Sequence, residues 1–354
     1  MRYMVSIVTS VYNKAKYLHR FFDSVLSQDY KNIEIVCVDN ASTDDSLSII
    51  RDYSNKDSRI KVVCLTVNKG PSDGYFNAFK NAVGEYVTVV DADDFIDRDY
   101  IGKLVYAIES VNADVAMCLN DLVWDDGRIY HKDWPTTAIN VIDGSSARLL
   151  VHQLLDERSC NYFGFPMPEI GGIWNKLYRR EWLVNKGIHY ETNLWKWCDF
   201  VFNIKVMKQV DKLIYINTAV YHFFQSESSV TRSSCFDSSF FSKQYLAANR
   251  ILEEIKNYNV PGVRNAFSVY AFRVTRDFFY YYQSYVGKEI PYCEFKGAIR
   301  ELNKQPFFKA LRNNIISSDI SKTDKILVIS LSLRTTFFYK VLLLLRSFKN
   351  KITN

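Results

Sequence analysis

The chain has 354 residues, of which 48% are hydrophobic and 24% charged, the balance of a folded globular protein rather than a disordered one. This length allows one large domain or two ordinary ones. The net charge is +6, and the seven basic residues and one acidic residue from Lys322 onward account for all of it. Because the rest of the chain is close to neutral, its body is not expected to bind nucleic acid.

The cysteines and the apolar segments indicate a protein of the reducing cytoplasm. The seven cysteines form no C-x-x-C pair, which argues against a disulfide framework or a zinc site. Cys37, Cys64 and Cys118 lie in apolar, strand-like runs and are interpreted as core thiols. A strand begins at Val5, so no signal peptide is expected. No uncharged apolar run reaches the roughly 18 residues of a membrane-spanning helix.

The N-terminal part of the chain alternates predicted strands and helices. The predicted strands are 5–9, 33–38, 60–65 and 86–90. Amphipathic segments lie between them, and Ser42 is the predicted N-cap of the second helix. Continuous apolar strands between such helices predict a mostly parallel sheet that is covered on both faces. Residues 113–221 are less regular, and residues 242–313 follow a helical pattern.

Polar clusters follow three of these strands, at residues 9–13, 39–40 and 91–94. The carboxyl ends of parallel strands meet at one edge of a sheet, and ligands of such sheets bind there. The three clusters are therefore expected at a common ligand-binding edge.

The run Asp91-Ala92-Asp93-Asp94 directly follows the fourth predicted strand. Two carboxylates one residue apart at a strand end can hold Mg²⁺ or Mn²⁺, which takes its other ligands from water and substrate phosphates. The alternative is a helix cap within a solvated acidic turn, the commoner use of such residues. The position at the end of a buried strand favours the metal site.

Asp39 ends the second predicted strand. It can accept hydrogen bonds from a base or a ribose hydroxyl, or it can cap the helix that follows, and the spacing does not separate the two roles. The turn from Ser10 to Asn13 contains no glycine, which excludes a P-loop or a G-x-G-x-x-G turn.

Six segments occur in a characteristic order. They are Val5–Asn13, Tyr17–Leu18, Ser24–Gln28, Ile33–Asp44, Gly84–Tyr86 and Asp91–Asp94. Over residues 4–230 the chain resembles family 2 glycosyltransferases, and more narrowly the bacterial enzymes that build capsular polysaccharide and lipopolysaccharide. The resemblance implies an α/β GT-A fold, with a Rossmann-like, mostly parallel sheet and flanking helices, followed by a helical C-terminal region.

The resemblance also implies roles at the sheet edge. The residues that would hold the nucleotide sugar are Thr9, Val11, Asn13, Asp39, Asp91, Ala92 and Asp93. Within this set, Asp39 would bind the base, Asp91 would lie near the ribose and the metal, and Asp93 would coordinate Mn²⁺ or Mg²⁺. Many relatives carry an Ala-Arg-Asn segment after the third strand. This chain has Tyr75 near that place, and Lys69 is the nearby alternative for the missing positive charge.

Two further segments match the same relatives. After a Trp-Asn-Lys-Leu-Tyr-Arg run at 174–179, the relatives show a Glu-Asp pair whose Asp is the usual general base. Here Asp199 is kept and Cys198 replaces the Glu. The alternative for Asp199 is a helix N-cap. His222 would approach the diphosphate or the metal, or it is simply a packed histidine.

The expected reaction is transfer of a sugar from a nucleotide-diphosphate sugar, taken to be a UDP-sugar, with inversion. The acceptor would be a hydroxyl of a glycan or a lipid-linked glycan. Asp199 would take the acceptor proton, and partial burial should raise its pKa.

Two alternatives remain: a non-catalytic relative that scaffolds a polysaccharide assembly, and a sugar nucleotidyltransferase. The latter would need a glycine-rich basic loop after the first strand.

Four regions are expected. They are a nucleotide-sugar half (1–110), an acceptor half (111–230), a helical region (231–322) and a basic amphipathic tail (323–354). In a helix from Thr335 to Lys349, one apolar stripe is formed by Phe337, Val341, Leu344, Leu345 and Phe348. This helix is expected to hold the protein peripherally on the anionic inner face of the cell membrane. The alternative is packing on its own domain or in a homodimer.

Overall fold

The computed structural model describes residues 3–131, 139–158, 170–225, 239–286 and 290–333. The helix predicted from Thr335 to Lys349 lies outside the described residues.

The N-terminal part follows the predicted alternation. Its elements are β1 Val5–Val11, α1 Ala15–Leu26, β2 Ile33–Asp39, α2 Ser46–Lys56, β3 Ile60–Cys64, α3 Pro71–Asn81, β4 Tyr86–Val89, β5 Phe95–Ile96 and α4 Tyr100–Ser110. The stretch that the sequence left irregular contains β6 Val115–Trp124, β7 Ile129–Tyr130, β8 Ile139–Asp143, α5 Gly144–Leu155, β9 Lys176–Arg179, α6 Arg180–Asn185, α7 Cys198–Gln209 and β10 Lys212–Gln225. The helical region consists of α8 Phe240–Lys256, α9 Val263–Tyr285, α10 Tyr292–Lys304, α11 Pro306–Asn314 and α12 Lys322–Ser332.

The strands form one ten-stranded sheet, in which eight strands lie in the order β3-β2-β1-β4-β9-β6-β10-β5, β7 pairs with β6, and β8 pairs with β10. The first four strands of this order run parallel, as the apolar runs between helices predict. Strand β9 is antiparallel to both β4 and β6, while β6 and β10 run parallel. The sheet is therefore parallel in its N-terminal half and mixed beyond it.

The core beneath the N-terminal half is built by the predicted apolar stripes. All seven residues of β2 are buried, and so are most of those in β1. Helix α1 packs on them with Tyr17, Leu18, Phe21, Phe22 and Val25, the residues whose helical spacing stands out in the sequence. Each large side chain buried in this way contributes about 1.5–3 kcal/mol.

The start of α1 is stabilised by the loop that follows β2. Lys14 is the N-cap of α1 but makes no side-chain cap bond. Instead, Asp44 Oδ2 accepts the Ala15 N–H at 3.1 Å, and Ser46 Oγ accepts the Lys14 N–H at 2.8 Å. The prediction that Ser42 caps α2 is wrong, since α2 begins at Ser46 and Ser42 Oγ accepts the Asn13 N–H at 3.2 Å.

The cysteine predictions are confirmed at two of three positions. Cys37 and Cys118 are buried thiols, whereas Cys64 is exposed. Cys64 is the last residue of β3, the outermost strand on that side of the sheet, and its side chain reaches solvent because no further strand covers it.

Contacts divide the chain into two units. Of the described residues, those up to 154 and those from 170 to 225 belong to the first unit, and the remainder to the second. In the second unit, α12 buries Leu327, Val328 and Leu331, and Asn303 Nδ2 of α10 donates to Leu331 O at 2.9 Å. The predicted boundary at 322/323 thus falls at the first residues of a packed helix. Within the described ranges, no helix combines the length and apolarity needed to cross a bilayer.

Candidate active site

The parallel strands bring the three polar clusters to one edge, as predicted. Strand β1 lies between β2 and β4, with Val11 in register with Asp39. The Asn40 N–H donates to Val11 O at 2.7 Å, which extends the pairing one residue beyond the strand. Residues 9–13, 39–40 and 91–94 therefore surround the carboxyl ends of three adjacent strands.

The first two clusters are tied to each other. Asn13 adopts φ 52°, and its Oδ1 accepts the Thr43 N–H at 2.8 Å. Asp39 is almost fully buried, and its carboxylate oxygens lie 3.3 and 3.4 Å from the Ser42 nitrogen, which donates to them. This contact closes a turn ahead of α2 and is not a helix cap. Thr9 and Val11 are fully buried beneath this edge of the sheet.

The turn from Asp91 to Asp94 is anchored by its last carboxylate. Asp94 Oδ2 accepts the Tyr221 hydroxyl at 2.6 Å, and Oδ1 accepts the Phe224 N–H at 2.8 Å. Helix α4 begins only at Tyr100, with Asp99 at its N-cap, so the helix-cap alternative for the run is not observed. Ala92 is buried and lies between Asp91 and Asp93. The carboxylates of these two residues have partners other than those of Asp94.

Asp91 is hydrogen-bonded by Tyr75 of helix α3. The Tyr75 hydroxyl donates to Asp91 Oδ1. Burial, and after it the charges of Asp93 and Asp199, raise the pKa of Asp91 to about 7. The hydrogen bond from Tyr75 and the charge of Lys14 act in the opposite direction. The phenol of Tyr75, and not a permanently charged side chain, thus contacts Asp91 Oδ1.

Asp93 contacts two cations. Lys14 Nζ forms an ion pair with Asp93 Oδ2, and Arg20 Nη2 donates to the Asp93 carbonyl at 2.6 Å. The Arg20 guanidinium lies 3.9 Å from the ring centroid of Phe224 and 4.9 Å from that of Phe95, which holds it in place. The cations on this turn come from α1 and its cap.

Asp199 lies in the first turn of α7 and is half-buried. The N-cap is Trp197, at φ 57°, and it makes no side-chain cap bond, so the capping alternative for Asp199 is not observed. The Tyr190 hydroxyl donates to Asp199 Oδ1 at 3.1 Å, and the Cys198 thiol lies 3.4 Å from the same oxygen. Burial raises the pKa of Asp199, while these two hydrogen bonds and the charge of Lys176 lower it.

Two tyrosines join the carboxylates of the site. The rings of Tyr75 and Tyr190 lie with centroids 5.4 Å apart, and each hydroxyl donates to one carboxylate, of Asp91 and Asp199 respectively. Tyr190 also stacks on Phe202 at 4.7 Å, which fixes its ring. Asp91 and Asp199, far apart in the chain, therefore share one partly buried site.

Helix α3 holds the loop that leads into α7, the helix that carries Asp199. Asp73 Oδ2 accepts the Asn193 N–H at 2.8 Å, and Ser72 Oγ accepts the Leu194 N–H at 2.9 Å. The helix itself lies so close to β1 that a Cβ added at Gly74 would be 1.9 Å from Ser10 Oγ. Glycine at this position thus permits the approach that brings the loop to the sheet edge.

His222 is placed away from the candidate metal ligands. Its ring stacks on Phe95 at 4.5 Å, Nε2 lies 2.9 Å from Asp97 Oδ1, and Nδ1 lies 3.6 Å from Asp121 Oδ2. Its partners are Asp97 and Asp121 rather than Asp91 and Asp93. This arrangement favours the packed-histidine alternative over a role at the metal.

Asp91 and Asp93 fit a hard divalent cation in the type of donor they offer. Both are carboxylates, and Asp93 already attracts the Lys14 ammonium. Among the described residues, no group of three or more His, Cys, Asp or Glu side chains is placed to hold a metal ion. A cation here would therefore take its remaining ligands from water and from a substrate diphosphate, as Mg²⁺ commonly does.

Sequence reasoning missed four contacts of the site. Lys14, Arg20 and Tyr221 each hold a carboxylate or carbonyl that lies distant in the chain, and Tyr190 donates to Asp199, nine residues further on. Lys14 directly follows the Asn13 that the motif singled out, and Tyr221 adjoins His222, so proximity to a motif was the only available signal. No spacing rule identifies Tyr190, because a long loop brings it to α7.

A family model confirms the resemblance. The model for glycosyl transferase family 2 matches residues 6–183. The chain belongs to glycosyltransferase family 2. Membership favours glycosyl transfer over the nucleotidyl transfer considered above.

Similar proteins include bacterial glycosyltransferases. The chain is 30% identical over 233 residues to the glycosyltransferase GlyA of Streptococcus pneumoniae, covering 64% of this chain and 31% of GlyA. It is 27% identical over 235 residues to the S. pneumoniae glycosyltransferase GlyG, covering 66% and 74%. Over 115 residues it is 35% identical to TarS of Staphylococcus aureus, a poly(ribitol-phosphate) beta-N-acetylglucosaminyltransferase, covering 32% and 20%. These sequence matches thus cover less than a third of GlyA and of TarS.

A solved structure shares the fold. Residues 1–349 of S. aureus TarS, in complex with UDP-GlcNAc, superpose with a TM-score of 0.68 at 23% identity, covering 94% of this chain and 88% of that one. This likeness confirms the α/β GT-A class, including a helical C-terminal region.

Proposed function

We propose that this protein transfers a sugar, with inversion, from a UDP-sugar to an acceptor hydroxyl. The observation that carries the proposal is the meeting of Asp91 and Asp199 in one partly buried site, joined by the paired rings of Tyr75 and Tyr190. One carboxylate follows the parallel strand where nucleotides bind, and the other begins a helix of the second half of the sheet. Residues 1–110 would hold the donor and residues 111–230 the acceptor.

On the donor side, Asp39 would accept hydrogen bonds from the base, and backbone groups of Thr9 and Val11 would line the nucleotide. Asp91 and Asp93 would hold Mn²⁺ or Mg²⁺. When bound, such a cation neutralises the charge that develops on the departing diphosphate. Family membership supports this assignment.

On the acceptor side, Asp199 would remove the proton of the attacking hydroxyl. Both hydrogen bonds to its carboxylate fall on Oδ1, so Oδ2 is the oxygen that can accept the proton. Burial raises the pKa of Asp199, which makes it a stronger base than an exposed aspartate. The hydroxyl would attack the anomeric carbon from the face opposite the diphosphate, which inverts the configuration.

The names of similar proteins support a class of substrate. TarS is a beta-N-acetylglucosaminyltransferase that was solved with UDP-GlcNAc, and GlyA and GlyG are bacterial glycosyltransferases. We infer a UDP-hexose or UDP-N-acetylhexosamine donor, and as acceptor a glycan or lipid-linked glycan of the cell surface. The basic segment 334–354 would hold the protein peripherally at the anionic inner face of the membrane.

The decisive test is Asp199→Asn. The amide keeps the size of the carboxylate but cannot take up a proton near neutral pH. Donor affinity, measured by calorimetry with UDP-GlcNAc, UDP-glucose and a GDP-sugar in the presence of Mn²⁺, should stay at the parental value. Transfer should fall about 10²- to 10⁴-fold, the usual contribution of a general base.

The matched control is Asp52→Asn, which removes an exposed carboxylate of α2. It should transfer sugar at the parental rate. An unchanged rate in Asp199→Asn would assign the base to another residue. If the parent protein binds none of the donors and turns none over, the scaffold alternative is favoured instead.

A further inference from the structure

Lys14 lies where the chain turns from β1 into α1, and its backbone is fixed there. Its N–H donates to Ser46 Oγ at 2.8 Å, and the next N–H, of Ala15, donates to Asp44. From this anchored position the side chain reaches across to the turn after β4. Its ammonium pairs with Asp93 Oδ2, and both side chains are only 21% exposed.

The ammonium faces a concentration of negative charge. Asp91, Asp93 and Asp94 lie within a single turn. Arg20 contacts only the carbonyl of Asp93, so Lys14 is the cation that contacts its carboxylate in the described structure. Lys14 also favours the charged form of Asp91. The Lys14 ammonium thus partly neutralises the negative charge of this turn, as a bound metal ion would.

We propose that Lys14 is an internal counter-ion of Asp93 that a divalent cation must displace before it can bind there. The inference rests on the proposed metal-dependent function. An ammonium and a divalent cation cannot both occupy Asp93 Oδ2 at contact distance, because their charges repel each other. The flexible four-carbon stem of lysine allows the ammonium to leave without moving the anchored backbone.

Mn²⁺ alone, titrated into the full chain without nucleotide, tests the inference. Free Mn²⁺ is counted by electron paramagnetic resonance, so the readout is binding and not activity. Lys14→Gln should bind Mn²⁺ about three- to tenfold more tightly than the parent, the gain expected when a partly exposed ion pair no longer competes. Lys14→Arg keeps the charge and should stay near the parental affinity.

Lys16→Gln is the matched control for net charge. Lys16 belongs to the same helix, but it is largely exposed and pairs with Asp125 at 3.3 Å, so this variant should bind Mn²⁺ as the parent does. Adding Asp93→Asn to Lys14→Gln should abolish the gain. Circular dichroism checks that each variant is folded.

Equal or weaker Mn²⁺ binding by folded Lys14→Gln, or an equal gain in Lys16→Gln, would overturn the inference. Donor binding and turnover by the parent are measured separately. A failure of the glycosyltransferase assignment is therefore distinguishable from a failure of the counter-ion role.

Discussion

Each of the two carboxylates that meet in the site accepts a hydrogen bond from a tyrosine. Tyr75 donates to Asp91 and Tyr190 to Asp199, and both phenols are nearly fully buried. A hydrogen bond to a carboxylate favours its charged form, whereas burial favours the neutral form. The tyrosines therefore hold the carboxylates in orientation and limit how far burial raises their pKa values.

This balance predicts a pH effect of Tyr190→Phe. Without the hydroxyl, the charged form of Asp199 loses a hydrogen bond, so its pKa, already raised by burial, should rise further. A general base works only when deprotonated, and transfer therefore appears as pH increases through that pKa. The acidic limb of the transfer rate against pH should move to higher pH by about half a unit to one unit, as expected for one hydrogen bond.

Tyr30→Phe is the control for the loss of a buried phenol. Tyr30 donates to Tyr3 O at 2.6 Å, just ahead of β2, at the edge of the sheet opposite the site. It should change stability but not the position of the acidic limb. A limb that stays in place in Tyr190→Phe, or moves to lower pH, would contradict the assignment of Asp199 as the base.

At the level of elements, helix α3 connects the two halves of the site. Its first turn accepts backbone N–H groups from Asn193 and Leu194, and its body lies against β1 at Gly74. A side chain at position 74 would collide with Ser10, because the added Cβ would be 1.9 Å from Oγ and 2.8 Å from Cβ of that residue. The position of the loop that leads to Asp199 thus depends on position 74 having no Cβ.

Gly74→Ala should therefore destabilise the fold by about 1–3 kcal/mol, the usual cost of overpacking. It should also weaken transfer, because α3 would shift together with the loop it holds. Gly102→Ala is the matched control, since a Cβ at Gly102 in α4 meets no atom within 4 Å. Alanine there should stabilise the helix by up to about 1 kcal/mol. Urea unfolding measures both changes.

Ser10→Gly in the background of Gly74→Ala removes both colliding atoms and should recover part of the lost stability. If Gly74→Ala unfolds at the same urea concentration as the parent, α3 does not lie against β1 as described.

For the molecule as a whole, the distribution of charge separates the folded units from the tail. Residues 334–354 carry five of the basic residues and no acidic one. The chain enters this segment from α12, which buries Leu327, Val328 and Leu331 in the second unit. A truncation meant to remove the tail alone should therefore follow Leu333, because a cut after Asp324 would also remove most of a packed helix.

Truncation after Leu333 is expected to abolish binding to anionic vesicles. The sequence predicts an interfacial helix with basic flanks over 335–349, and such helices bind by apolar burial and charge together. In flotation with vesicles containing phosphatidylglycerol, the full chain should float and the truncated chain should remain at the bottom. Equal flotation of the two forms, or none by the full chain, would favour a tail packed on its own domain or in a dimer.

Local sequence pattern was sufficient for the framework of the fold. Continuous apolar strands between amphipathic helices predicted four parallel strands, because each strand is buried on both faces and each helix on one. The same pattern placed residues 9–13, 39–40 and 91–94 at one edge, since parallel strands end together. The order of the six sequence motifs was sufficient to predict the family.

The tertiary structure decided which side chains hold these clusters. Lys14 on Asp93 and Tyr221 on Asp94 are contacts between residues far apart in the chain, and Tyr190 reaches Asp199 across the irregular segment between α6 and α7, so no local period encodes them. The antiparallel insertion of β9 between β4 and β6 was likewise not predicted. A four-residue strand carries too short a pattern to reveal its neighbours, because pairing depends on where the rest of the sheet leaves an open edge.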